Sequence, residues 1–248
     1  MSPLRHVLPA VVISLLAIAQ PCAAERYALI VSGASGGPEY AKQYAKWSAD
    51  LRAVLQEQMK FDARNVTVLS DADDPSARAT AANVRAALDN LRRRLTADDL
   101  LFVVLIGHGT FDGIDAKFNL VGTDLESAQW SELLTGVAGQ LVLVNTTAAS
   151  FPFIERLSGH RRVVISATDS VAQRFETVFP AYFIESFRQQ ESDIDKNGRV
   201  SMWEAFAAAT AAVRRHYQQR GQLATERALL DDNADGVGRD LTATGEDG

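Results

Sequence analysis

The sequence is short of several things at once. Of 248 residues one is cysteine, three are methionine and seven are proline. The longest apolar run, Val7–Ala19, falls short of the roughly 20 residues that a membrane-spanning helix needs. One cysteine excludes a disulfide-stapled miniprotein, and 16 glycines without a period exclude a collagen. Basic side chains (25) are outnumbered by acidic ones (31), so the basic surface of a non-specific nucleic-acid binder is missing. What is present, 47% hydrophobic and 23% charged residues, is the balance of a globular chain rather than a disordered or polytopic one.

The first 24 residues read as an address. Arg5 and His6 precede the apolar run, and Gln20, Pro21 and Cys22-Ala23-Ala24 lead to a polar Glu25. That order predicts a secretory signal peptide cleaved after Ala24 and a secreted, periplasmic protein. A lipoprotein centred on Cys22 is the rival, and Gln20-Pro21 suits a lipid-modification site badly. Cleavage leaves 224 residues, with 24 basic side chains against 31 acidic ones and no cysteine. The mature chain then has no disulfide, no thiol nucleophile, no thiolate metal ligand and no stable membrane span.

Five short runs rich in Val, Ile and Leu predict buried strands: Tyr27–Ser32, Val66–Leu69, Leu100–Ile106, Leu141–Asn145 and Val163–Ala167. Amphipathic helices are expected over Tyr40–Met59 and Thr80–Leu95. Wholly apolar strands alternating with helices imply an α/β fold, a mainly parallel sheet covered on both faces. The expected organisation is an α/β domain over 25–177 and a helical extension over 178–238, with helices at Val178–Gln190 and Trp203–Gln219. A disordered tail over 239–248 follows.

Ligands of such sheets gather beyond the carboxyl ends of the strands. Three turns belong there: Ser32–Gly37, Gly107-His108-Gly109-Thr110 and Thr146-Thr147-Ala148-Ala149-Ser150. Glycines on either side leave the His108 ring open to a ligand, as a general base or acid would need. The plainer alternative is a strand-end histidine bonded to a neighbouring loop. Ser32–Gly37 matches neither the dinucleotide fingerprint nor a Walker loop.

The order strand, Gly107-His108-Gly109, then strand, Asn145-Thr146-Thr147 about 40 residues on, resembles the legumain-type (C13) peptidases and, more distantly, the caspases. The resemblance implies a caspase/legumain-like three-layer α/β/α sandwich. It makes His108 the histidine that pairs with a cysteine at the next strand end, and the Gly109 amide part of the oxyanion site. Thr147 stands at the cysteine's position, Thr146 at the preceding alanine, and Ala149 and Ser150 where Ser-Gly is expected. The departure falls on the nucleophile. A thiol is ionised enough near neutral pH for a histidine alone to activate it. A hydroxyl is not: serine hydrolases add an acid, and threonine nucleophiles use their own terminal amine, which an internal Thr147 lacks. The expectation is a pseudopeptidase that binds peptide or protein. An active hydrolase pairing Thr147 with His108 is the alternative, and strand-end hydroxyls satisfying backbone groups are the structural reading.

The acidic stretch Asp193–Glu204 fits the calcium-loop pattern at every constrained position. Asp193, Asp195 and Asn197 offer side-chain oxygens, Arg199 its carbonyl, Ser201 a direct or water-borne ligand, and Glu204 a bidentate close. Gly198 permits the bend. Lys196 and Arg199 weaken the local field and argue for modest affinity. The bland reading is an acidic turn, and a calcium-responsive structural module is the third functional reading. Asp231–Gly236 repeats half the pattern and reads as a solvated acidic turn, with a weak or paired site as its alternative. His108, His160 and His216 lack zinc spacing. Arg92–Arg94 reads as a solvated helix end, and Trp47, Trp130 and Trp203 as packing residues.

Overall fold

The computed structural model describes residues 24–241; the expected signal peptide up to Ala23 and the tail from 242 lie outside them. Strands β1 (Arg26–Ser32), β2 (Val66–Leu69), β3 (Leu100–Ile106), β7 (Gln140–Asn145), β8 (Arg162–Ser166) and β9 (Leu229–Asp231) form one sheet. Its order is β2-β1-β3-β7-β8-β9, parallel except for β9, which runs antiparallel to β8. Three short strands, β4 (Gly109–Phe111), β5 (Ala116–Phe118) and β6 (Leu125–Glu126), make a separate antiparallel sheet.

The central strands β1, β3 and β7 are apolar on both faces through their interiors because helices cover both faces. Along β3, Phe102, Val104 and Ile106 join one core with α1 (Pro38–Glu57), α5 (Phe179–Ser186) and α6 (Met202–Gln219). Leu101, Val103 and Leu105 point the other way, toward α2 (Ala81–Arg94), α3 (Ser127–Leu134) and α4 (Pro152–Leu157). Local chemistry sets the helix starts: Pro38 opens α1, the Thr80 hydroxyl accepts from Asn83 N at the head of α2, and Ser201 and Glu204 form a capping box on α6.

The segment expected as a separate extension shares the sheet's core. Phe179, Phe183 and Phe206 are fully or almost fully buried against sheet residues, and β9 supplies the sixth strand. Arg239, expected to start the tail, exchanges both backbone hydrogen bonds with Leu230 at 2.9 and 3.0 Å. Two expectations about exposure are corrected. Asp231, read as part of a solvated turn, is buried at the end of β9, and Trp203 is exposed whereas Trp47 and Trp130 are packed. Arg94 is less free than a solvated helix end: it donates to Asn65 and lies over the Tyr27 ring. Among the described residues no helix is long and apolar enough to cross a membrane.

Candidate functional site

The carboxyl tips of β3 and β7 are neighbours, since Leu105 pairs with Asn145 in the parallel register. His108 follows the first tip and Thr147 the second, so one sheet edge carries both. Gly109 lies against the second tip so closely that a Cβ there would run into the Ala148 carbonyl and the Thr147 hydroxyl. Glycine is required at 109 by contact, not by conformation.

His108 is held from the opposite side. Its Nε2 lies 3.1 Å from the Tyr44 hydroxyl and 3.2 Å from the Ser35 carbonyl oxygen. A carbonyl only accepts, so that contact calls for a proton on Nε2 and leaves Nδ1 as the basic nitrogen of the neutral ring. Ser35 is itself fixed, donating from N and Oγ to Asp71. Tyr40 packs edge-on to the imidazole at 4.7 Å between centroids. Burial, and then the charge of Glu176, push the Tyr44 phenol well above its ordinary range.

The hydroxyls of the second tip are committed elsewhere. Thr147 is buried; its Oγ1 has Asn145 Oδ1 at 2.8 Å and the Ala148 carbonyl at 2.9 Å as acceptors, and its N donates to the same Asn145 oxygen. Thr146 Oγ1 donates to the Leu105 carbonyl at 2.8 Å. Ser150 Oγ accepts from Ala167 N and Thr168 N and meets the Thr168 hydroxyl. The parallel register therefore brings His108, Gly109 and Thr147 to one edge. It does not give the imidazole and the threonine hydroxyl a hydrogen bond.

A cleft of about 490 Å³ opens on the far side of Gly109, lined by Thr110, Phe111, Ala149, Gln173 and Arg174. Gly109–Phe111 is the outer strand of the small sheet, paired on one side by β5 alone. The loop between β8 and α5 forms the opposite wall. It is pinned to the second tip by the Thr177 hydroxyl, which donates to the Thr146 carbonyl. At its end Glu226 accepts from Val178 N, Phe179 N and the Tyr217 hydroxyl. Ser35, Tyr40, Tyr44 and Glu176 were not singled out from sequence. Tyr40 and Tyr44 are spaced four apart on α1, and Glu176 lies in a loop at the ligand-bearing edge; those were the available signals.

The acidic loop forms a second constellation. Asp193 accepts from Asn197 N and Gly198 N, Asp195 from Asn197 N, and Asn197 Oδ1 from Arg199 N. Glu204 reaches back to accept from Ile194 N at 2.7 Å, Asp195 N at 3.2 Å and Ser201 N at 2.8 Å, which hold its carboxyl below the usual range. One oxygen from each of Asp193, Asp195 and Glu204 falls within 4.8 Å of the others. Ser201 caps α6 through its hydroxyl. Asp231–Gly236 has the same backbone signature. Lys196 and Ala234 are left-handed at position four (φ 56° and 67°), and Gly198 and Gly236 at position six (φ 82° and 73°). In both loops the first aspartate accepts from the glycine amide. His160 is exposed, and His216 Nδ1 meets the Tyr182 hydroxyl at 2.8 Å.

No family model matches the chain, and no curated protein matches it. Among solved structures it is similar to protein GSU0716 from Geobacter sulfurreducens, with a TM-score of 0.56 and 15% sequence identity. The match covers 88% of this chain and 98% of that one, a likeness of fold.

Proposed function

We propose that the protein is a legumain/caspase-like domain without peptidase chemistry, whose cleft binds peptide or protein segments, carried on a secreted, periplasmic chain. One observation supports this above the rest. The imidazole and the residue at the nucleophile position sit on adjacent strand tips, yet the Thr147 hydroxyl is taken up by Asn145 and Ala148 and His108 Nε2 by Ser35 and Tyr44. An alcohol needs a base in contact to become a nucleophile. Here the Asn145 side chain and the Ala148 carbonyl satisfy it instead. The cleft beside Gly109, bordered by an outer strand, suits an extended peptide chain.

The alternative, a hydrolase pairing Thr147 with His108, predicts labelling of Thr147 by a phosphonyl electrophile that Thr147→Ala removes. The binding reading predicts no such labelling. It also predicts that the immobilised protein retains intact peptides from a random library. Thr110→Trp, an exposed cleft-side substitution, should abolish retention without changing the melting temperature; undiminished retention would refute the cleft as the binding place.

The acidic loop favours a second, separable role as an EF-hand-like calcium site, with Asp193, Asp195, Asn197, the Arg199 carbonyl, Ser201 and Glu204 as ligands. The supporting observation is that Glu204, at the twelfth position, already folds back among the first carboxylates. Bound calcium would supply charge to tie the loop to α6, a structural rather than chemical contribution. Calorimetric titration with calcium chloride tests it, and no heat of binding would refute it.

A further inference from the structure

The cleft beside Gly109 shares Phe111 with a second hollow of about 440 Å³. The same three segments wall both. The β4–β5 hairpin, the turn between β7 and α4 and the loop between β8 and α5 supply Thr110, Ala149 and Val171 to the first hollow and Ile114, Phe151 and Asp169 to the second. The two are lobes of one trough. The second lobe is the more apolar at its rim: Ile114 is 83% and Val237 61% exposed. Between them Phe111 and Phe151, both half-buried, meet edge-on at 5.5 Å between centroids. Large apolar side chains gathered in the open at one concave place mark a surface that something else covers.

The hairpin's hydrogen bonds favour an extended chain as the occupant. Asn119 N donates to the His108 carbonyl, and Asp112 N to the Asp115 carbonyl. Bonded and non-bonded pairs alternate along an antiparallel register, so Gly109 and Phe111 turn their N–H and C=O groups away from β5. No other backbone group of the described residues takes them up. A peptide that pairs with Gly109 and Phe111 supplies the missing partners, and its continuation along the same edge passes from the first lobe to the second.

We propose that the second lobe is a specificity pocket that receives a bulky apolar side chain, such as leucine or phenylalanine, of the bound peptide. This rests on the peptide-binding reading above and deepens it. Such a side chain, seated among Phe111, Ile114, Phe151 and Val237, removes apolar surface from water on both partners. A small polar side chain in its place leaves that surface wet.

The test uses the immobilised protein and a capped random heptapeptide library with one fixed position. That position carries leucine, phenylalanine, asparagine or serine, and retained peptides are counted by mass spectrometry. The wild type should retain the apolar members about ten- to a hundredfold better than the polar ones. Ile114→Asp combined with Val237→Asp, at two exposed positions, should abolish that preference without changing the melting temperature, while polar members are held as before. Leu223→Asp, at a side chain 90% exposed and outside the trough, should leave the preference intact. Equal retention of all members by the wild type would overturn the inference and leave peptide binding standing. A preference that survives the paired substitution, or is lost equally in Leu223→Asp, would overturn the assignment to this lobe. Retention of no peptide at all would overturn both readings.

Discussion

Replacing Glu176 by glutamine should change how stability depends on pH, in a direction the structure fixes. The folded protein raises this carboxyl from 4.5 to about 7, chiefly through burial and next through Glu226. An acid with a raised folded pKa contributes stability that is fully present below its unfolded pKa and is lost as pH rises through the folded one. The wild type should therefore lose stability between about pH 4.5 and 7 that Glu176→Gln does not lose. Each pKa unit is worth about 1.4 kcal/mol, which sets an upper bound near 3 kcal/mol. Glu176 is only half-buried, so solvent screening reduces this to about 1–2 kcal/mol. For a chain of this size that is roughly 2–8 °C in Tm. The assay is thermal unfolding of both proteins at pH 4 and pH 8. The glutamine introduces one constant offset, and the variant's advantage should grow by that amount from the lower pH to the higher. An advantage that stays constant, or shrinks, would refute the claim that Glu176 is a desolvated, unpartnered acid.

Thr147→Cys should give a thiol whose alkylation by iodoacetamide near pH 7 is unchanged when His108→Ala is added, since the two side chains share no hydrogen bond; a rate that falls about tenfold would show that they meet. Glu226→Ala leaves Val178 N, Phe179 N and the Tyr217 hydroxyl without their acceptor, and should cost about 2–4 kcal/mol in urea unfolding. Loss of less than about 0.5 kcal/mol would show that water replaces it freely. Calcium at a hundred times its dissociation constant should add about 2.7 kcal/mol of stability, abolished in Asp193→Ala with Glu204→Gln; an unchanged melting curve would remove the calcium reading. Gly109→Ala should destabilise by about 2–4 kcal/mol because its methyl group meets the Ala148 carbonyl and the Thr147 side chain; a neutral effect would mean the two tips part easily.

The sheet was legible because burial on both faces writes itself as unbroken apolar runs: all five expected strands occur within a residue or so of their expected ends. Leu229–Asp231 was not legible. Three residues are too few for a period, and its partner β8 lies more than 60 residues away. The hairpin β4–β5 was hidden in the same way, since Gly109–Phe111 and Ala116–Phe118 carry only short alternation. His108 and Thr147 could be assigned to one edge because both follow parallel strands, a consequence of topology. Their hydrogen bonds could not: Tyr44 reaches His108 across 64 residues, and Thr177 reaches Thr146 across 31. The bend of the acidic loop at Asn197-Gly198 was legible because its hydrogen bonds are local, each carboxylate bonding amides within eleven positions. Trp203 reads as a core residue by type alone. Its exposure follows from its place in the first turn of α6, whose buried face begins with Glu204, Ala205 and Phe206.

The central claim is that this edge holds peptides without cutting them. The most direct measurement is mass spectrometry of a random peptide library incubated with the purified protein, reading bound and free fractions together. Intact peptides enriched in the bound fraction, with no new termini appearing in either, are expected. New termini that form with the wild type and disappear with His108→Ala would contradict it.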